Sequence, residues 1–211
     1  MNENQMREQI AALGKALYNR GYAHGSAGNI SVRLDDGHFL VTPTNSCLGR
    51  LDPAKISKLD GNGTLLAGDP PSKESFLHLA MYSERANSAA VVHLHTLHAV
   101  AVSCLADVDP DDVFPAITAY AIMQVGKLAL VPYYPPGDAA LAEAVRKLAG
   151  RHHAVLLANH GPVVAGSSLA AAVYAIEELE QTAQLMLLLQ GRPTRLLTPA
   201  QIADLNRRFA S

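Results

Sequence analysis

The stretch Ala89-Ala90-Val91-Val92-His93-Leu94-His95-Thr96 limits the fold more than any other. Its apolar, β-branched run reads as a short buried strand from Ala89 to Leu94. Such a strand has to be covered by other layers, so the chain must supply the elements that bury it. Successive strand side chains point to opposite faces, which places His93 and His95 on the same side, one pleat apart. Two imidazoles at a strand end clamp one divalent metal, or they are simply two histidines on a polar face. The H-x-H spacing alone leaves both readings open.

A chain of 211 residues with 49% hydrophobic residues is expected to bury a substantial core as one domain spanning residues 1–211. The net charge of −2 carries no excess that would favour nucleic acid, so an anionic ligand would need local donors. The longest apolar runs, such as Leu185 to Leu189, are too short to span a bilayer, and no membrane partner is expected. Met-Asn-Glu-Asn-Gln at the start has neither the basic region nor the apolar core of a signal peptide. Cys47 and Cys104 give one potential pair and no C-x-x-C context, which fits a reduced, cytoplasmic protein.

Met6, Ile10, Leu13 and Leu17 recur at spacings of three and four, which predicts an amphipathic helix over 3–20 ended near Gly21. Gly25-Ser26-Ala27-Gly28-Asn29 follows and leads into a strand over Ile30–Leu34. That loop either lets backbone N–H groups approach an anion or is an ordinary tight turn. Asp35-Asp36-Gly37 turns into Phe39–Val41, and Thr42-Pro43-Thr44-Asn45-Ser46 adds hydroxyls and an asparagine tolerant of positive φ. Ile56–Leu59 and Thr64–Leu66 read as a further hairpin. Ser72 is the expected N-cap of a helix opening at Lys73-Glu74 and running to about Arg85. Glu74 in that first turn would complement the helix dipole even without a catalytic role.

Beyond the histidine strand the pattern predicts a short helix over His98–Leu105 and a helical stretch over Ala116–Val125 containing Tyr120. A strand over Lys127–Val131, a loop over 132–137 and a helix capped by Asp138 follow. Ala154–Ala158 is a buried strand that Asn159-His160-Gly161-Pro162 turns into Val163-Val164. A long helix over Leu169–Leu189 and a last one from Thr198-Pro199 toward Phe209 complete the chain. The expected fold is α/β in three α-β-α layers, a mostly antiparallel central sheet flanked by helices.

Gly28-Asn29, Thr42-Pro43-Thr44, Pro71-Ser72-Lys73-Glu74, His93-Leu94-His95 and Asn159-His160-Gly161 fall in the order seen in one known family. On these five motifs, nearly over its whole length, the chain resembles the class II aldolase/adducin-domain family. Ser-Lys-Glu, the run Gly21 to Asn29 and Ser46-Cys47-Leu48-Gly49 are most similar to its branch acting on 3-oxo-tetronate 4-phosphates.

The resemblance implies a Zn2+ site formed by His93, His95 and His160, with the acid/base carboxylate Glu74 able to fill the open metal position. It implies a substrate phosphate pocket of Gly28, Asn29, Thr44, Asn45, Ser72 and Lys73, where the family usually has glycine at the position of Asn45. It also implies a homotetramer in which Tyr120 is offered to a neighbouring subunit's catalytic site. Three imidazoles with an open fourth position suit catalysis, since a structural site would be closed.

A zinc ion chelated by a ketone and its neighbouring hydroxyl stabilises an enediolate, whether an aldehyde or CO2 departs. Burial is expected to raise the pKa of Glu74 toward useful values. Lys73 beside it either holds a substrate carboxylate or is a solvated first-turn lysine. The implied activity is decarboxylation of 3-oxo-tetronate 4-phosphate to dihydroxyacetone phosphate. A sugar 1-phosphate aldolase of the fuculose or rhamnulose type is the neighbouring alternative. A silent adducin-like binding module is the third reading, and loss of a metal histidine or of the glutamate would favour it; all four residues are present.

Overall fold

The computed structural model describes residues 2–135 and 137–209; Pro136, in the expected 132–137 loop, lies outside them. Eight strands form one sheet: β1 (Asn29–Arg33), β2 (Phe39–Val41), β3 (Ser57–Leu59), β4 (Leu65–Ala67), β5 (Ala90–His93), β6 (Ala129–Val131), β7 (Ala154–Leu157) and β8 (Gly161–Gly166). Their order across the sheet is β4-β3-β2-β1-β5-β8-β7-β6. Every neighbouring pair is antiparallel except β6–β7. That pair is joined through helix α4 (Ala139–Ala149), the crossover that a parallel connection needs.

Both faces of β5 are buried, and the two sets of side chains go to different cores. Val92 and Leu94 join Ile30, Leu156 and Val164 beneath helices α1 (Glu3–Asn19), α3 (Leu97–Ser103) and α5 (Leu169–Leu189). Val91 joins Val155 and Val163 beneath helix α2 (Ser75–Glu84) and α4. Each fully buried Val, Leu or Ile contributes roughly 1.5–3 kcal/mol, so register slippage at β5 would reverse both faces at once. A final helix, α6 (Pro199–Arg208), opens on a capping box between Thr198 and Gln201. Among the described residues no helix is long and apolar enough to cross a membrane.

The structure departs from the sequence expectations where non-local contacts compete with local pattern. Strand β5 covers Ala90–His93 rather than Ala89–Leu94, so His95 lies two residues past its end. Helix α2 begins at Ser75, not Lys73. Ser72 N–H donates to the Thr42 carbonyl at 3.1 Å, and Pro71 bridges to Pro43, which keeps the chain extended up to Ser72. Glu74 therefore occupies the N-cap position, and its side chain makes no cap hydrogen bond.

Residues 116–118 are not helical, because Thr118 Oγ1 accepts from Ala121 N–H at 3.0 Å and acts as a cap. The π-helical stretch Ala121–Val125 follows Tyr120, closed by the Gly126 N–H on the Ala121 carbonyl at 3.0 Å. The start of α3 is held by α5. The Glu180 carboxylate accepts from the His98 N–H at 3.0 Å, the Ala99 N–H at 2.8 Å and His98 Nδ1 at 2.8 Å. This pins the segment that carries His95.

Candidate active site

Three backbone devices bring four side chains together. Strand β1 pairs with β5 so that Asn29 stands opposite His93. Gly28, at φ 85°, packs so tightly that a Cβ there would meet the His93 carbonyl and Leu94 at 3.0 Å. Leu157 pairs with Gly161 across the turn 158–160, in which Asn159 takes the left-handed conformation at φ 56°. A Cβ on Gly161 would stand 2.4 Å from the Leu94 carbonyl, so glycine permits this turn to close on the segment carrying His95. The short Asn-His-Gly motif thus carries His160 to the histidines of the β5 end.

His95 Nε2 lies 3.1 Å from His93 Nε2 and 3.0 Å from His160 Nε2. Glu74 Oε1 is 3.1 Å from His160 Nε2, and Oε2 is 3.5 Å from His93 Nε2. One donor atom from each of the four residues falls within 4.8 Å of every other. Around a tetrahedral ion with nitrogens at roughly 2.0–2.1 Å, neighbouring nitrogens stand about 3.3 Å apart. The observed triangle suits such an ion with little movement.

The ionisation states suit it too. His93 is fully buried, and its Nδ1–H donates to the Pro162 carbonyl at 2.8 Å, leaving the Nε2 lone pair facing the cluster. Burial pushes the His93 imidazole down, and burial together with the neighbouring imidazoles takes His95 down to about 3. Neutral imidazoles are the form a metal takes up. Burial pushes Glu74 up, but the His160 hydrogen bond, the field of His93 and the Asn29 amide outweigh it and hold the carboxyl well below its usual range. The expectation that burial would raise Glu74 is therefore corrected: donors converging on the carboxylate win over desolvation.

Two cavities meet at this cluster. The first, of about 240 Å³, is lined by Gly28, Asn29, Thr44, Asn45, Ser72 and Lys73, and reaches Glu74 and His95. Asn45 takes the left-handed conformation at φ 54°, the geometry for which glycine is the usual choice. The second, of about 430 Å³, lies against His95 and His160 and is lined by His24, Tyr133, Tyr134 and Asn159. Of these, Asn159 and His24 fall in stretches that the sequence marks for other reasons, while Tyr133 and Tyr134 have no local signal.

Tyr120 is 64% exposed and lines neither cavity of its own chain. The remaining histidines of note are occupied elsewhere: His98 on Glu180, His152 on the Lys127 carbonyl and His153 on the Gln124 carbonyl.

Fold and site together define a class II aldolase architecture. The chain belongs to the family of the class II aldolase and adducin N-terminal domain, which matches residues 8–187. It is 48% identical over 203 residues to the 3-oxo-tetronate 4-phosphate decarboxylase of Escherichia coli (strain K12), covering 96% of each chain. It is 37% identical over 169 residues to an L-fuculose phosphate aldolase of Methanococcus maripaludis, covering 80% of this chain and 89% of the relative. The crystal structure of YgbL from Escherichia coli superposes with a TM-score of 0.95 at 47% identity, covering 96% of this chain and 98% of that one.

Proposed function

We propose that this chain is a metal-dependent carbon–carbon lyase that decarboxylates 3-oxo-tetronate 4-phosphate to dihydroxyacetone phosphate and CO2 in the cytoplasm. The observation that carries the reading is the His93/His95/His160/Glu74 cluster set between two cavities, one lined by all six phosphate-pocket residues. The higher identity to decarboxylases than to the aldolase supports the choice of leaving group.

In this reading His93, His95 and His160 hold one divalent ion, zinc by donor type, with Glu74 beside the open position. Such an ion, when bound, supplies Lewis-acid polarisation of the ketone and its neighbouring hydroxyl. The first cavity takes the phosphate through Gly28, Thr44, Asn45, Ser72 and Lys73. The substrate's carboxylate stands at the end opposite its phosphate, so it enters the second cavity, where His24 and Asn159 offer side-chain N–H donors. The bond between the carboxylate carbon and C2 breaks, its electron pair stays on C2 and spreads onto the C3 oxygen, and CO2 leaves. Glu74 relays the one proton that C2 then takes up. The carboxylate loses its charge in this step, so weak neutral donors serve better than a tight cationic clamp.

Lys73 lies among the phosphate-pocket residues, and that position favours a phosphate contact over a carboxylate contact. Lys73→Ala is expected to raise KM for the phosphorylated substrate by about tenfold or more, as loss of a charge-assisted contact of ~1.5–3 kcal/mol requires. Metal content should be unchanged, and an unaltered KM would remove Lys73 from the phosphate site.

Tyr120, exposed in its own chain, reaches a site only across a subunit contact, and a closed ring of four is the assembly we assign. Light scattering should report a tetramer; a monomer at assay concentration would contradict it.

The test of the reaction is coupled detection of dihydroxyacetone phosphate with each substrate offered in turn. Turnover of the 3-oxo acid with little cleavage of fuculose or rhamnulose 1-phosphate is the expected result. Efficient aldehyde release with no turnover of the oxo acid would make the chain an aldolase.

A further inference from the structure

A continuous line of buried polar groups runs from helix α2, through strand β1, to Glu74. Tyr82 Oη and Ser31 Oγ are 2.9 Å apart, and Ser31 Oγ is 2.7 Å from His78 Nδ1. His78 Nε2 meets Asn29 Oδ1 at 2.5 Å, and Asn29 Nδ2 donates to Glu74 Oε2 at 2.9 Å. Ser31 and His78 are fully buried, Asn29 is 3% exposed and Tyr82 4%. The three links from Tyr82 to Asn29 are buried, and only the Glu74 end reaches the partly exposed site, so each buried donor must face an acceptor.

The direction of every link then follows from one end. An ionised Glu74 only accepts, so the Asn29 amide must present N–H to it and Oδ1 to His78. His78 Nε2 must carry the proton, which leaves Nδ1 as an acceptor. The Ser31 hydroxyl must donate to Nδ1 and accept from the Tyr82 hydroxyl. Turning the Asn29 amide over would set its carbonyl against the carboxylate and its N–H2 against the His78 N–H.

We infer that His78 is a positioning residue for the reaction: it fixes the Asn29 amide so that the amide holds Glu74 Oε2 in place beside the three histidines. A corollary reassigns Asn29. Its side-chain amide is spent on His78 and Glu74, so any contact it makes with the substrate phosphate falls to its backbone. Burial, which pushes the His78 imidazole down to about 3, agrees with a neutral ring that serves as a fixed donor and acceptor rather than as a charge. Glu74 and His78 lie four positions apart, so the start of α2 sets both groups on one side of the helix, where their partners Asn29 and Ser31 stand on β1.

The inference rests on Glu74 as the proton-handling group of the proposed reaction, and the experiments separate the two. Nitrogen-15 NMR of histidine-labelled protein reads the His78 tautomer directly, whatever the enzyme catalyses. A neutral ring protonated at Nε2 is expected; protonation at Nδ1, or a charged ring at neutral pH, overturns the proposal.

Two variants give the kinetic counterpart. His78→Gln keeps an N–H donor toward Asn29, and His78→Leu removes it. With 3-oxo-tetronate 4-phosphate, His78→Leu is expected to lower kcat by about tenfold or more, a part of the roughly 10²–10⁴-fold that a positioned proton-transfer group contributes. KM and metal content should change little, and His78→Gln should recover most of kcat. A folded His78→Leu with the parent kcat, or equal losses in both variants, would overturn the positioning role. Should His78→Leu fail to fold, the tautomer and the Gln variant decide. Inactivity of the parent protein on the oxo acid would instead count against the proposed reaction and leave the tautomer result standing.

Discussion

Glu74→Gln is expected to lower kcat by about 10²–10⁴-fold while the protein keeps its metal. Glutamine preserves the shape of the side chain and an oxygen that can accept from Asn29 Nδ2, whose contact with Oε2 is 2.9 Å. What it removes is the carboxylate 3.1 Å from His160 Nε2, and with it the means of carrying a proton at C2. KM should move little, because the phosphate contacts in the first cavity come from other residues. Steady-state kinetics alongside metal analysis checks this. Retention of full kcat would remove Glu74 from the chemistry, and loss of the metal instead of turnover would make it chiefly a ligand.

Stripping the metal with a chelator is expected to abolish turnover, and readdition of a divalent ion to restore it. His95→Ala should reproduce the loss without rescue, since two imidazoles and a carboxylate would remain of the four donors. Stability should follow occupancy as well. A ligand at a hundred times its Kd stabilises the folded state by about 2.7 kcal/mol, so the melting temperature should rise with added metal in the parent and stay flat in His95→Ala. Metal per chain, activity and melting temperature measured on the same samples test this. Full activity in metal-free protein would refute the metal assignment.

The parts of the site legible in the sequence are those written as local motifs. His93 and His95 declare themselves through a strand period. The Asn159-His160-Gly161 turn is legible because only residues tolerant of unusual backbone close so tight a connection, as φ 56° at Asn159 and the 2.4 Å approach at Gly161 show. The order of the helices and the antiparallel sheet followed from hydrophobic period.

What was not legible depends on pairings between distant segments. The start of α2 was misplaced because the Pro43–Pro71 bridge overrides the capping signal at Ser72. Glu74 was expected to be raised by burial, since sequence shows neighbours along the chain and not the Asn29 and His160 donors that fold onto it. His78 lies four positions after Glu74, but nothing local marks Asn29 and Ser31 as its partners. The second cavity, built from His24, Tyr133, Tyr134 and Asn159, assembles residues from three separate connections, and no local pattern shows that they meet.

The most direct measurement follows the substrate carbon that leaves. Metal-loaded protein is given 3-oxo-tetronate 4-phosphate labelled with carbon-13 at its carboxylate, and the products are read by NMR. Labelled CO2 and unlabelled dihydroxyacetone phosphate in equal amounts, dependent on the metal and on Glu74, are the expected result. Label retained in an organic product, or CO2 release that persists in metal-free protein, would contradict the assignment of this site as a metal-dependent decarboxylase.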